Sequence, residues 1–250
     1  MVHRSTPHLR DSTHAYPQET AWCRLSQYLG EGFQPRLLDF DELRRHLDRE
    51  WYDLGPNFYT HSQGYLYDLT HFHYMEAKRT FLHSLRSFAV HHRLTTIADV
   101  GCGIGLDAQA LLHARYDVDA YDLDNPSLAY ARWRFDRDGG TGERIHTLTE
   151  FPRRVYDLVY AVDVIGHSSD PNATLGQLFR AGRYVCVTLP PHDDRHRYGP
   201  ADLHPQLDHE QVLPLMQRLG ELVRVEGTPG STISFWRSLR PQRPLAGMCP

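Results

Sequence analysis

The stretch Ile97-Ala98-Asp99-Val100-Gly101-Cys102-Gly103-Ile104-Gly105 constrains this chain more than any other. An apolar run ends in an acid and three alternate glycines, and the following Leu106-Asp107-Ala108-Gln109-Ala110-Leu111-Leu112 is helix-compatible. The order predicts a buried strand, a tight turn at its carboxyl end, and a helix leaving the turn. Glycines at that spacing permit the turn and let a ligand lie directly against the main chain. Asp99 adds an acceptor beside it, which suits a ligand carrying hydrogen-bond donors better than one led by a bare pyrophosphate. The pattern Gly-x-Gly-x-Gly also differs from the Gly-x-Gly-x-x-Gly of dinucleotide sites.

Around this anchor the chain alternates. Strand-like runs fall at 95–100, 118–123, 144–149, 157–164 and 184–189, with helical stretches after the first, second and fourth. Such alternation predicts a parallel sheet with helices on both faces. The connection 150–155 is too short for a crossover helix. Near the end, a helix at 209–219 precedes strands at 222–226 and 232–237, and the linker 227–231 is long enough for a hairpin only. The expected fold is therefore α/β: a doubly wound, mostly parallel, Rossmann-like sheet with an antiparallel last strand, carrying a helical amino-terminal cap.

The domain boundaries follow. Residues 1–18 are polar and read as a disordered arm, 19–92 as the cap, 93–240 as the α/β domain, and 241–250 as a disordered tail. Within the cap, 51–61 reads as a loop with aromatic teeth. A longer helix carries Met75, Leu82, Leu85 and Ala89 at helical spacing and ends near His91-His92.

Composition narrows the partners. Lys+Arg 27 against Asp+Glu 31 provides no basic field for nucleic acid. Lys78 is the sole lysine, which reads as codon usage rather than chemistry. Four scattered cysteines suggest reduced thiols in a cytoplasmic protein, not a disulfide framework. No run approaches a membrane span, and the first residues are unlike a signal peptide. The partner expected is a small molecule, with no nucleic acid and no membrane; a homodimer is left open.

From Thr95 to Arg237 the chain resembles the class I S-adenosylmethionine (SAM)-dependent methyltransferases. Their glycine turn is similar to Asp99–Gly105, the acid ending their second strand to Asp122, and their fourth strand to 156–167, followed by the Asp170-Pro171 helix start. The closing hairpin agrees. The resemblance implies SAM as cofactor. Gly101, Cys102 and Gly103 would meet its methionine moiety with main chain, and Asp99 would accept from its ammonium. Asp122 would take the ribose hydroxyls, Leu123 would pack on adenine, and Thr149 or Glu150 would meet the amino edge. His167 stands as a candidate general base facing the methyl, with the fixing of the loop after the fourth strand as its structural alternative. Asp163 would line the cofactor or substrate cavity. A Tyr-Leu-Tyr-acid-Leu stretch leads into the cavity in some members, so Tyr59, Tyr65 and Tyr67 are candidates for cofactor or substrate contact, since tyrosine faces attract a sulfonium. Gluing the cap to the domain is the alternative role for these rings.

The histidines of 192–209 match no compact zinc spacing, and no metal is expected; substrate contact fits that loop better. The expected activity is methyl transfer to oxygen, nitrogen or carbon of a small metabolite. The alternatives are use of the aminobutyrate arm, by transfer or by cyclisation to azetidine-2-carboxylate, with Tyr65 and Asp163 as catalytic candidates that would hold the methionine chain in an attacking shape, and SAM binding without turnover. A dinucleotide oxidoreductase is the remaining rival.

Overall fold

The computed structural model describes residues 16–139, 142–189, 209–228 and 231–239. The arm before residue 16, most of the histidine-rich loop and the tail lie outside the described residues. The end of the expected arm is anchored: the Tyr16 phenol accepts from Arg134 at 2.9 Å, and its carbonyl accepts from the Tyr74 hydroxyl at 3.0 Å.

Helices α1 (Gln18–Leu29), α2 (Phe40–Leu54), α3 (Phe58–His61) and α4 (Gly64–His73) precede α5 (Glu76–His91). The sheet then alternates with helices: β1 (Thr96–Val100), α6 (Leu106–His113), β2 (Asp117–Asp122), α7 (Pro126–Arg137), β3 (Ile145–Thr147), β4 (Tyr156–Ala161), α8 (Pro171–Ala181) and β5 (Gly182–Leu189). After α9 (His209–Leu219) come β6 (Gly220–Thr228) and β7 (Ser231–Ser238). The seven strands lie in the order β3-β2-β1-β4-β5-β7-β6. β1 pairs in parallel with β2 on one side and β4 on the other, so a crevice opens beyond its carboxyl end where the winding reverses. β7 inserts between β5 and β6 and runs antiparallel to both, which is the expected closing hairpin.

Alternation along the strands sends residues to two cores. Ile97, Val118, Leu158 and Phe235 face α5, α6 and α7, whereas Ala98, Tyr121, Val159 and Trp236 face α8 and α9. α5, expected as the last cap helix, thus lies in the sheet's own core through Phe81, Leu82, Leu85 and Phe88. Each such large apolar side chain contributes about 1.5–3 kcal/mol on burial. A third core joins the cap to the domain: Leu25, Leu37, Leu43, Leu66 and Tyr67 close over Ile104, Leu106 and Tyr130.

Two local expectations change. Residues 51–61 are helical rather than a loop, because α2 runs on to Leu54 and α3 follows after one 3-10 turn. β4 stops at Ala161 instead of Val164, since Asp163 takes a left-handed φ of 56° that no extended strand allows.

Lys78 carries more than codon usage. Its ammonium lies 2.6 Å from Asp107, and His73 meets the same carboxylate at 2.7 Å. Burial works against the Asp107 charge, yet Lys78 and His73 hold the group well below the usual carboxylate range. The triad ties α4 and α5 to α6 just after the glycine turn. Asp107→Ala strands a buried ammonium and is expected to lower stability by about 3–5 kcal/mol in urea unfolding. Removing both charges, as Lys78→Met with Asp107→Leu, should cost less; an equal or larger loss would refute this account.

Candidate active site

The glycine turn is built as its composition requires. Gly101, Gly103 and Gly105 have φ of 76°, 54° and 70°, a region costly for residues with a Cβ. The turn is also crowded: a Cβ on Gly101 would lie 2.2 Å from Val164 Cγ2, and one on Gly103 would lie 3.0 Å from Leu69 Cδ1 of α4. It therefore sits between the cap and the segment after β4. Gly101 and Cys102 donate their N–H groups to the Tyr121 carbonyl at 2.8 and 3.0 Å. Cys102 turns its side chain towards the sheet core and leaves only its main chain to the crevice.

Asp122 ends β2 beside this turn. Its carboxylate accepts from Gly103 N–H at 2.5 Å and Leu123 N–H at 2.7 Å. Burial raises the group above the ordinary carboxylate value although those N–H donors favour its charge. Leu123 is exposed at the crevice edge. Thr149 is exposed in a 3-10 turn after β3, two residues beyond Thr147, the register partner of Asp122. Glu150 is engaged locally, capping Thr147 N–H at 3.0 Å.

Asp99 lies deeper. It is buried beside Tyr160 of β4, whose hydroxyl faces its carboxylate and favours the charged form. Burial and then the Asp107 charge push the Asp99 carboxyl up to about 8.

On the other side of the turn, residues far apart in sequence converge. The Tyr59 hydroxyl is 3.1 Å from His167 Nδ1, and His167 Nε2 is 3.7 Å from Asp163 Oδ1. Both ring nitrogens thus face partners, so the imidazole is coupled to a phenol on one side and a carboxylate on the other. Asp163 is fixed by its own N–H, which donates to Thr188 Oγ1 at 2.8 Å. Tyr59 packs edge-to-face on Tyr65 at 5.4 Å and on Trp51 at 5.9 Å. Its carbonyl accepts from Asn125 Nδ2 at 3.0 Å, while the Asn125 carbonyl oxygen caps α7 at Leu128 N–H. Burial raises both phenols, and the charges of Asp68 and Asp163 add to this.

Tyr67 is placed elsewhere. Its hydroxyl accepts from Gln34 N–H at 2.7 Å and its ring stacks on Phe33 at 5.6 Å, inside the cap core. Helical phase explains the difference: within α4, Tyr65, Asp68 and Leu69 share one face, and Leu66, Tyr67 and Thr70 the other. Asp68 was missed at the level of sequence, although it stands three residues after Tyr65. Burial, with the Asp163 charge added and Arg44 opposing, pushes its carboxyl up to about 6. Asn125 and Thr188 were also missed, and no local signal marks them. Among the described residues no cluster of three His, Cys, Asp or Glu side chains suits a metal ion, and no helix is long and apolar enough to cross a membrane.

Residues 98–183 match the family model described as a methyltransferase domain. No relative among curated proteins matches at a significant level. Among solved structures, the SAM-bound magnesium protoporphyrin IX methyltransferase of Synechocystis PCC 6803 is 16% identical, with 83% of this chain and 99% of that one covered at a TM-score of 0.51. An O-methyltransferase family protein from Burkholderia thailandensis is 12% identical, with coverage of 82% and 74% and a TM-score of 0.52. At these identities the structures speak for the fold alone, and the domain model covers about a third of the chain. The glycine turn, Asp122 and β4 lie within the matched segment, so over residues 98–183 the chain is similar to methyltransferase domains, and its sheet has the fold of these solved structures.

Proposed function

We propose that this protein transfers the methyl group of SAM to a small-molecule acceptor bound between the cap and the carboxyl ends of β1 and β4. The observation that carries the reading is the convergence on one rim of Asp122, the glycine turn, and the Tyr59–His167–Asp163 cluster. The residues fit the cofactor. Asp99 is a buried acid at the end of β1 with acceptor capacity left over beside Tyr160, which suits an ammonium. Gly103 leaves its main chain without a side chain at the turn, where a Cβ would press on Leu69 of α4. Asp122, at the end of the strand next to β1, suits a ribose diol, with Leu123 and Thr149 further along the rim for the base.

Bound SAM supplies an activated methyl on a good leaving group, so alignment and exclusion of water are the main tasks left to the protein. The cap supplies the walls. A proton released by the acceptor is taken through Tyr59: the phenol passes its proton to His167 Nδ1 and accepts the acceptor's proton in turn. Asp163 stabilises the resulting imidazolium from the Nε2 side. In this reading His167 works behind Tyr59 rather than facing the methyl. A small-molecule acceptor is supported by the formal net charge of −4 and by the carboxylates of the rim, which disfavour a polyanion. The magnesium protoporphyrin IX methyltransferase that it resembles in fold has, by its name, a small-molecule substrate.

The first test is product analysis with the full chain, SAM and a metabolite extract. S-adenosylhomocysteine is the expected product; methylthioadenosine would redirect the reaction to the aminobutyrate arm, and SAM left unconsumed while bound would indicate a binding protein.

Asp122→Ala is expected to weaken SAM binding by about 10- to 100-fold in titration calorimetry, the loss of charge-assisted hydrogen bonds. Unchanged affinity would remove Asp122 from the ribose role. With an acceptor in hand, Tyr59→Phe should lower kcat by about 10- to 100-fold while SAM affinity moves less than about twofold. A kcat equal to that of the parent would dismiss the relay.

A further inference from the structure

Helices α7 and α8 begin in the same way. Asn125 and Asp170 each accept the N–H of the residue three positions on, Leu128 and Ala173, at 2.9 Å, and each precedes a proline. Helix α2 is capped by an aspartate too, Asp39. A cap of this kind uses only the side-chain acceptor, so aspartate and asparagine serve it about equally. At α7 the other half of the side chain is used outside the helix. The Asn125 amide donates to the Tyr59 carbonyl at 3.0 Å, across 66 positions of sequence, and its hydrogen bond to Asp122 favours the charge of that carboxylate. Asn125 is itself buried. An aspartate in its place would set acceptor against acceptor at Tyr59 and a second carboxylate beside Asp122.

The Tyr59 backbone needs such a tie. Helix α3 is one turn of four residues, too short to hold its own shape, and the last carbonyls of a helix depend on partners outside it. Packing on Trp51 and Tyr65, both cap residues, places the Tyr59 ring within the cap. Asn125 joins the same residue to the sheet, where His167 stands after β4, 3.1 Å from the phenol.

We propose that Asn125 is a positioning residue for methyl transfer: through the Tyr59 carbonyl it ties α3 to the loop that carries Asp122, and so holds the Tyr59 hydroxyl at His167. In this role it touches neither donor nor acceptor and acts through Tyr59. This rests on the reading of Tyr59 and His167 as the proton relay. The loop after β2 then serves both ends of the reaction, with its acid at the ribose and its amide at the relay.

The variant Asn125→Ser keeps an oxygen to cap the Leu128 N–H and has no group that reaches Tyr59. Two measurements on the full chain test the tie. In hydrogen exchange without ligand, residues 58–62 of the variant should exchange about 3- to 10-fold faster than in the parent, with α7 within about twofold, as expected for one lost hydrogen bond. The rate of S-adenosylhomocysteine formation from saturating SAM and a metabolite extract should fall about 5- to 20-fold in Asn125→Ser, yet less than about twofold further when the change is made in Tyr59→Phe. A cap that served only the stability of α7 would lower the rate by the same factor in both backgrounds. Parent-like exchange at 58–62, or losses that multiply, would overturn the positioning role. A Tyr59→Phe rate equal to that of the parent would dismiss the relay, and an extract that yields no S-adenosylhomocysteine would dismiss methyl transfer. Either result overturns this role as well, and the exchange of 58–62 tells it from a missing tie.

Discussion

The passage from β1 into α6 is possible only because the backbone reverses through left-handed angles at Gly101, Gly103 and Gly105, and the rest of the site hangs on that reversal. The N–H groups it frees do not point into empty space. Gly101 and Cys102 donate to the Tyr121 carbonyl, and Gly103 donates to the Asp122 carboxylate. The first strand's turn is thereby locked to the end of the second, and the acid that would hold a ribose is held by the same contact. A side chain on Gly101 or Gly103 would disturb this lock and also collide with Val164 or press on Leu69. The turn is thus a packing constraint in its own right.

The cap depends on the turn as well. Ile104, which lies within it, enters the core of Leu25, Leu37, Leu43 and Leu66. Arg134 of α7, fully buried, donates to the Ile104 carbonyl at 2.7 Å, to the Gln109 side chain, and to the Tyr16 phenol. Arg24 of α1 reaches Asp138 at 2.6 Å. These links, with the Asp107 triad beneath, bring α3 and α4 over the crevice at a fixed height. Tyr59, Tyr65 and Asp68 owe their positions to them, because helices as short as α3 and α4 have little stability of their own.

Much of this architecture is legible in the order of residues. The glycine spacing, Asp122 at a strand end, Asp170-Pro171 opening α8 and the short linker of the closing hairpin are local signals, each set by a turn or a cap within a few positions. The helix expected at 209–219 stands where its periodicity puts it. Less legible were 51–61, where Gly55 and Pro56 suggested a loop although helical turns continue on both sides. The place of α5 was also hidden, since an amphipathic pattern does not say which core receives the apolar face. Lys78 looked incidental because a single lysine has no pattern; its role appears only once Asp107 lies opposite it.

The sequence by itself determined the parallel sheet, the glycine turn and the acids beside it, because backbone sterics and side-chain period act over neighbouring residues. Only the tertiary structure decided which cap residues face that turn. Tyr65 and Asp68 face it while Tyr67 does not, and Tyr59 meets His167 across more than a hundred positions. Those choices depend on the angle at which α4 packs over Gly103, and that angle is set by contacts summed over the whole cap core. No single stretch of sequence carries that sum.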